Sequence, residues 1–150
     1  VNPHHRARRL ALQGLCCLDA QGPGGAELVH EFVADSREPA ETLRAARSLL
    51  DAAYADWAAC DGILVRHARH WDLSRLALVD RNILRLATHE LRFAKAPPKV
   101  VITEAIRLAR EFSTAESPRF INGVLDAVAK ELLALEEEPS RDAGDTGDSD

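Results

Sequence analysis

The sequence has few aromatic residues, little cysteine and no methionine. Aromatic residues make up 5% of the chain, so a core must come mainly from Leu, Ala, Val and Ile. Ala and Leu are strong helix formers. The cysteines are Cys16, Cys17 and Cys60. Their number is odd, two are adjacent and none forms a CxxC pair, which argues against a disulfide framework or a zinc site. Buried, reduced thiols are expected. No apolar run approaches the roughly 18 residues of a membrane span. The basic N-terminus lacks the apolar segment of a signal peptide, so a cytoplasmic location is expected. No strand alternation, Gly-rich phosphate loop, GxSxG, HExxH or Cys–His nucleophile pairing is present. Acids are abundant but fall on polar helix faces, away from the apolar settings that raise a catalytic pKa. Neither an enzyme nor a cofactor is expected.

What is present is a 150-residue chain, 46% hydrophobic and 29% charged. That is one domain with one sizeable core. The net charge of −5 is unevenly spread. Residues 136–150 hold seven acids and a single base, Arg141, and sum to −6, leaving the rest near neutral at +1. The expected organisation is a loose N-terminus over 1–5, a helical domain over 6–135 and a disordered acidic tail over 136–150. The tail is a candidate competitor for a polyanion at the basic N-terminus.

Helical spacing recurs throughout. Ala7, Ala11, Gly14, Leu15 and Leu18 share one face of a first helix, with His5, Arg6, Arg9 and Gln13 opposite. Cations at a helix N-terminus oppose its dipole. Placing His4, His5, Arg6, Arg8 and Arg9 there has an electrostatic cost that a polyanion would offset. QGPGG, from Gln21 to Gly25, reads as a loop. A short helix follows with Leu28, Phe32 and Val33 as its apolar side. The next carries Leu43, Ala46, Leu49, Leu50, Ala53, Tyr54 and Trp57, with a break expected at Asp61-Gly62. A further short helix should end near His70. His67 and His70 have metal-compatible spacing but no third ligand, so they read as surface side chains. Another helix follows Trp71, with Val79, Ile83, Leu86, Ala87 and Leu91 inward. Asp80, Arg81, Arg85, His89 and Arg92 form its other side, a stripe open to a polar or acidic partner. Pro97-Pro98 breaks the chain. Val100 to Phe112 is helical, with Thr103, Glu104, Arg107, Arg110 and Glu111 as its polar side. Ser117-Pro118 then caps a helix expected to run to about Leu135. Within it, Asn122-Gly123 suggests close helix–helix packing.

The segments LALVDRNILRLATHEL, from Leu76 to Leu91, and PPKVVITEAIRLAREFSTAESPRFINGVLD, from Pro97 to Asp126, resemble signatures of the bacterial NusB transcription antitermination family. RARRLALQGL, from Arg6 to Leu15, is similar to that family's arginine-rich first helix. The resemblance spans about Arg6 to Leu132. It implies an all-α bundle of about seven helices, an N-terminal helical subdomain packed on a C-terminal one. It also implies a non-enzymatic role: binding the boxA element of ribosomal RNA leader transcripts with NusE, a small-subunit ribosomal protein, in the transcription elongation complex.

By matched motif, the resemblance implies RNA contact by Arg6, Arg8 and Arg9, and by Phe112, Glu116, Arg119 and Phe120 around the last helix junction. Asp80, with Arg81 and Arg85 behind it, falls where the resemblance implies the protein partner. Two departures stand out. His4 and His5 replace arginines usual in the family, and Cys16 replaces an aromatic. Single-stranded RNA is held by cations on phosphates and aromatic faces under bases. Phe112 and Phe120 suit stacking, and Glu116 suits accepting from a base amino group. Two alternatives carry different implications. One is the helical RNA-binding domain of ribosomal RNA cytosine methyltransferases. These need a large cofactor domain downstream, whereas this chain ends in the acidic run, so a free-standing factor is expected. The other is a homodimeric interaction protein that masks its RNA side.

Overall fold

A computed structural model of the chain describes residues 3–68, 73–93 and 95–144. Among them the secondary structure is helical, with seven α-helices. These are α1 (Pro3–Gln21), α2 (Ala26–Ala34), α3 (Ala40–Ala55), α4 (Trp57–His67), α5 (Leu78–Arg92), α6 (Pro98–Phe112) and α7 (Ser117–Gly144). Short 3-10 turns at Pro23–Gly25 and Leu73–Arg75 complete the path. Helices α1 to α3 pack together as an N-terminal subdomain, α4 to α7 as a C-terminal one, and α1 lies against α5 between them.

The first helix buries the expected stripe. Ala7, Ala11, Leu15 and Leu18 are all in the core. Gly14 is where helices approach closely: a Cβ there would meet Leu50 Cδ2 at 2.8 Å and Val29 Cγ1 at 3.1 Å. That closeness lets α1 sit on α3, its most extensive neighbour. The expectation of close packing at Asn122-Gly123 is not met. Both residues are exposed, and an added Cβ at Gly123 meets nothing within 4 Å. The apolar stripe of α7 is Ile121, Val124, Leu125 and Val128, all buried, and Gly123 lies outside it. Burying each such side chain is worth about 1.5–3 kcal/mol.

Other boundaries differ from the sequence reading for local reasons. Helix α1 starts at Pro3, not after His5, because His5 is anchored: its Nδ1 lies 2.7 Å from Glu104 Oε2 on α6. Gly22 ends α1 at a φ of 76°, open to glycine, and its N–H donates to Leu18 O. In α2 the buried residues are Val29 and Val33, while Leu28 and Phe32 stay largely exposed. The break between α3 and α4 falls at Asp56, not Asp61-Gly62. The Asp56 carboxylate takes His89 Nδ1 at 2.9 Å, Cys60 Sγ at 3.3 Å and the Arg92 guanidinium, which fixes the corner. His67 ends α4 and pairs with Glu131 of α7 at 3.2 Å; His70 lies outside the described residues. Helix α7 passes Leu135 and reaches Gly144, carried by the helix-forming Ala134 to Glu138. Residues 145–150 lie outside the description. Among the described residues no helix is long and apolar enough to cross a membrane, and no cluster of His, Cys, Asp or Glu is suited to a metal ion.

Helix α5 is the centre of the bundle, contacted by α1, α3, α4, α6 and α7. Every residue from Asn82 to Leu91 is buried, so its polar side is interior too. Arg85 donates to Asp61 through Nε at 2.7 Å and to Asp19 through Nη1 at 3.1 Å, and stacks on Trp57 at 3.7 Å from the ring centroid. Arg81 Nε donates to Asp19 at 2.6 Å, and Asn82 adds a third bond to that carboxylate. The arginine stripe of the sequence is thus neutralised from within by α1, the start of α4 and the α3–α4 corner.

This network sets an acid limit. Burial pushes the Asp19 carboxyl up, but the hydrogen bonds from Arg81 and Asn82 and the charge of Arg85 outweigh it, leaving Asp19 below its ordinary range. Asp56 is held low in the same way by Arg92 and His89 against burial. A carboxyl depressed in the fold contributes stability above its unfolded pKa of about 4 and loses it as pH falls through the lower folded value. Stability should therefore fall steeply below about pH 4. Asp19→Asn should cost roughly 1.5–3 kcal/mol at neutral pH and flatten that acid limb. Urea titrations at several pH values measure both effects. An unchanged acid slope would remove Asp19 from the account.

Candidate nucleic-acid interface

The sequence-distant candidates converge at one end of the bundle. Helix α6 ends at Phe112, residues 113–116 turn, and α7 begins at Ser117. The turn is held by hydroxyls. Ser113 Oγ donates to Asp80 Oδ1 at 2.6 Å and Ser117 Oγ donates to Asp80 Oδ2 at 2.9 Å. Thr114 Oγ1 lies 2.9 Å from the same Ser117 hydroxyl. Ser117 is therefore both the start of α7 and a fastening to α5. Asp80, 9% exposed, is the buried acceptor that fixes the junction.

Helix α1 reaches this junction through the Arg9 side chain. Arg9 pairs with Glu111 at 2.8 Å, and its guanidinium lies over the Phe112 ring, 5.4 Å from the centroid. Half of the Arg9 side chain remains exposed. Phe112 and Phe120 each back onto the core and are only partly buried. Beside them a recess of about 200 Å³ is lined by Arg75, Leu76, Asp80, Thr114, Glu116 and Phe120. Cation, aromatic faces and an exposed carboxylate at Glu116 thus share one surface. This is the set of groups that binds an unpaired, stacked strand.

A family model described as the NusB family matches residues 5–130. The chain belongs to the NusB family. It is 42% identical over 131 residues to the transcription antitermination protein NusB of Koribacter versatilis (strain Ellin345), covering 86% of this chain and 90% of that protein. It is 39% identical over 138 residues to the NusB of Solibacter usitatus (strain Ellin6076), covering 91% and 94%. Among solved structures, T. maritima NusB superposes with a TM-score of 0.79 at 34% identity, over 87% of this chain and 92% of that one. A crystal structure of the antitermination factors NusB and NusE in complex with double-stranded RNA gives a TM-score of 0.77 at 30% identity, over 86% and 97%.

Within this NusB fold the expected site residues divide. Arg6, Arg9, Phe112, Glu116 and Phe120 lie at or near the surface. Arg6 is 3.7 Å from Glu38, so it is paired loosely. Arg8 is not on the outer face: it is 8% exposed, and its Nε donates to both Glu90 carboxylate oxygens at 2.9 and 3.0 Å. His5 is likewise buried, between Glu104 and Glu111. Helical periodicity assigns Arg8 to neither stripe, and only the packing of α1 on α5 decides it. Arg119 is exposed but lines a different recess, beside Arg110. Of the expected partner residues, Arg81 and Arg85 are taken by Asp19 and Asp61, and Asp80 by two serines. Asp80 also lines the open recess beside Phe120.

Cys16 and Cys17 are only partly buried, short of the buried thiols expected; Cys16 lies by Asp19 and Asn82, and desolvation, aided by Asp19, pushes its thiol up to about 11. Cys60 is raised further by burial and by Asp56. Cys16 and Cys60 stay protonated at neutral pH and fill space.

Proposed function

We propose that this chain acts in transcription antitermination by binding a boxA-type single strand of ribosomal leader RNA together with a NusE-type ribosomal protein. It would do so in the cytoplasm, as a non-enzymatic part of the elongation complex. The observation that carries the reading is Arg9 lying over Phe112, which joins the arginine-rich helix to the α6–α7 junction in one surface. A single strand is favoured over a duplex because Phe112 and Phe120 are partly buried rings at the junction, and stacking on aromatic side chains is open to splayed bases rather than paired ones. Arg6 and Arg9 supply phosphate contacts, and Glu116 a base-edge acceptor. The protein partner would meet the Arg75–Asp80 side of that recess, leaving its Glu116–Phe120 side to the strand.

The test is a titration of labelled boxA strand, scrambled strand and boxA duplex, with and without the NusE-type protein. Preference for the boxA strand, strengthened by the protein, is expected. Arg9→Gln should weaken binding and reduce the log–log salt slope by about 0.7 for a lost phosphate contact on a single strand. Equal affinity for boxA and scrambled strands with the protein present would remove the reading.

A further inference from the structure

A second recess, of about 680 Å³, lies apart from the one at Phe120. It lies on the other side of the α6–α7 turn. One wall is Ile106 and Arg110, a helical turn apart on α6. The other is Pro118, Arg119 and Asn122 at the start of α7. Its floor crosses the turn at Ser113 to Ala115. No carboxylate lines it.

That absence places Arg110 and Arg119, like Arg37, Arg44, Arg47 and Arg75, outside the set of arginines that face a carboxylate among the described residues. Arg6, Arg8, Arg9, Arg66, Arg81, Arg85, Arg92 and Arg107 each face a carboxylate. Arg110 and Arg119 face none among the described residues, although both are exposed and stand on opposite walls of one groove. The hydroxyls of the floor are already engaged, Ser113 with Asp80 and Thr114 with Ser117. Hydrogen-bonding capacity in the groove therefore rests with the two guanidinium groups and the Asn122 amide. These are donors suited to phosphate oxygens. Thr114 lines both this groove and the recess at Phe120, so the two adjoin at the turn.

We propose that the Arg110–Arg119 groove holds the sugar-phosphate backbone of nucleotides flanking the segment stacked at Phe112 and Phe120. The chain would thus engage a longer strand than the aromatic surface reads. The groove carries no stacking ring and no base-edge acceptor, so its contribution is independent of sequence. This inference rests on the single-strand reading above. It assigns the groove to RNA rather than to an acidic protein segment because the groove adjoins the surface with the aromatic faces.

The experiment compares a minimal boxA strand with the same strand extended by several arbitrary nucleotides at the 5′ or the 3′ end. Each is titrated against the full chain, Arg110→Gln and Arg110→Glu at several salt concentrations. The wild-type chain should bind one extended strand more tightly than the minimal one, with a steeper salt slope. Arg110→Gln should abolish most of that gain, a loss of several-fold, and reduce the slope by about 0.7. Arg110→Glu should lose more, and binding of the minimal strand should not change. Arg110 also sits in the last turn of α6, where a cation favours the helix dipole. If that were its whole role, the variants would shift thermal stability and leave the length dependence intact, overturning the proposal. Loss of only the NusE-type protein's binding, with RNA titrations unchanged, would overturn it in favour of a protein segment. Tight binding of the minimal strand without any length gain would sink the groove alone. No binding of either strand by the wild type would sink the boxA reading with it.

Discussion

Arg8→Ala should destabilise the protein by about 3–5 kcal/mol, the usual cost of leaving one member of a buried ion pair without its partner. Glu90 is 4% exposed, and Arg8 is its counter-ion. Burial already pushes the Glu90 carboxyl up, against the pull of the Arg8 charge and hydrogen bond. Without Arg8 that carboxylate loses its main compensation. A carboxyl raised in the fold costs nothing while it is protonated in both states, and its cost grows as pH rises above the unfolded pKa of about 4.3. The Arg8→Ala deficit should therefore shrink as pH falls toward 4. Arg8→Leu combined with Glu90→Leu should recover most of the loss, since an apolar pair of similar volume can replace a buried ion pair. Urea denaturation across pH measures all three. Normal stability with loss of RNA binding in Arg8→Ala would return Arg8 to the RNA surface.

Phe112→Leu and Phe120→Leu should each weaken boxA binding by about 1–3 kcal/mol, the contribution of one stacked base. Leucine is the informative replacement because both rings also pack on the core, and alanine would mix folding with binding. Phe112→Tyr keeps the ring face and should retain affinity, while Phe112→Leu should lose it at unchanged helix content. Fluorescence anisotropy with labelled RNA and a parallel thermal melt separate the two effects. The double variant should lose less than the sum if one base contacts both rings. Wild-type affinity in both leucine variants would assign the rings to packing alone.

Much of the chain was legible in order. The stripe Ala7, Ala11, Leu15, Leu18 and the stripe Ile121, Leu125, Val128 are both core, as the 3.6-residue period requires. Ser117 stands where α7 begins, whereas α6 begins at Pro98, two residues before the expected Val100, because proline suits the first helical turn. The resemblance at Leu76–Leu91 and Pro97–Asp126 pointed to the family that residues 5–130 match. Less legible were the ends and breaks. Asp56 ends α3 through contacts with His89 and Arg92, more than thirty residues away. No local signal distinguishes it from Asp61.

By itself the sequence determined that the chain is helical, the main apolar stripes of α1, α5 and α7, and which family it belongs to. These depend on periodicity, capping and motif, all local in the chain. Only the tertiary structure decided which charges meet solvent. A period tells which residues share a face but not how many faces are covered. Helix α5 is enclosed by five others, so Asp80, Arg85, His89 and Glu90 became interior groups needing partners, and α1 supplied Arg8 and Asp19. The same packing left Arg9 over Phe112 and left Arg110 and Arg119 without acids. The surface offered to a polyanion is therefore defined by which arginines the packing of α1, α6 and α7 left exposed at the junction.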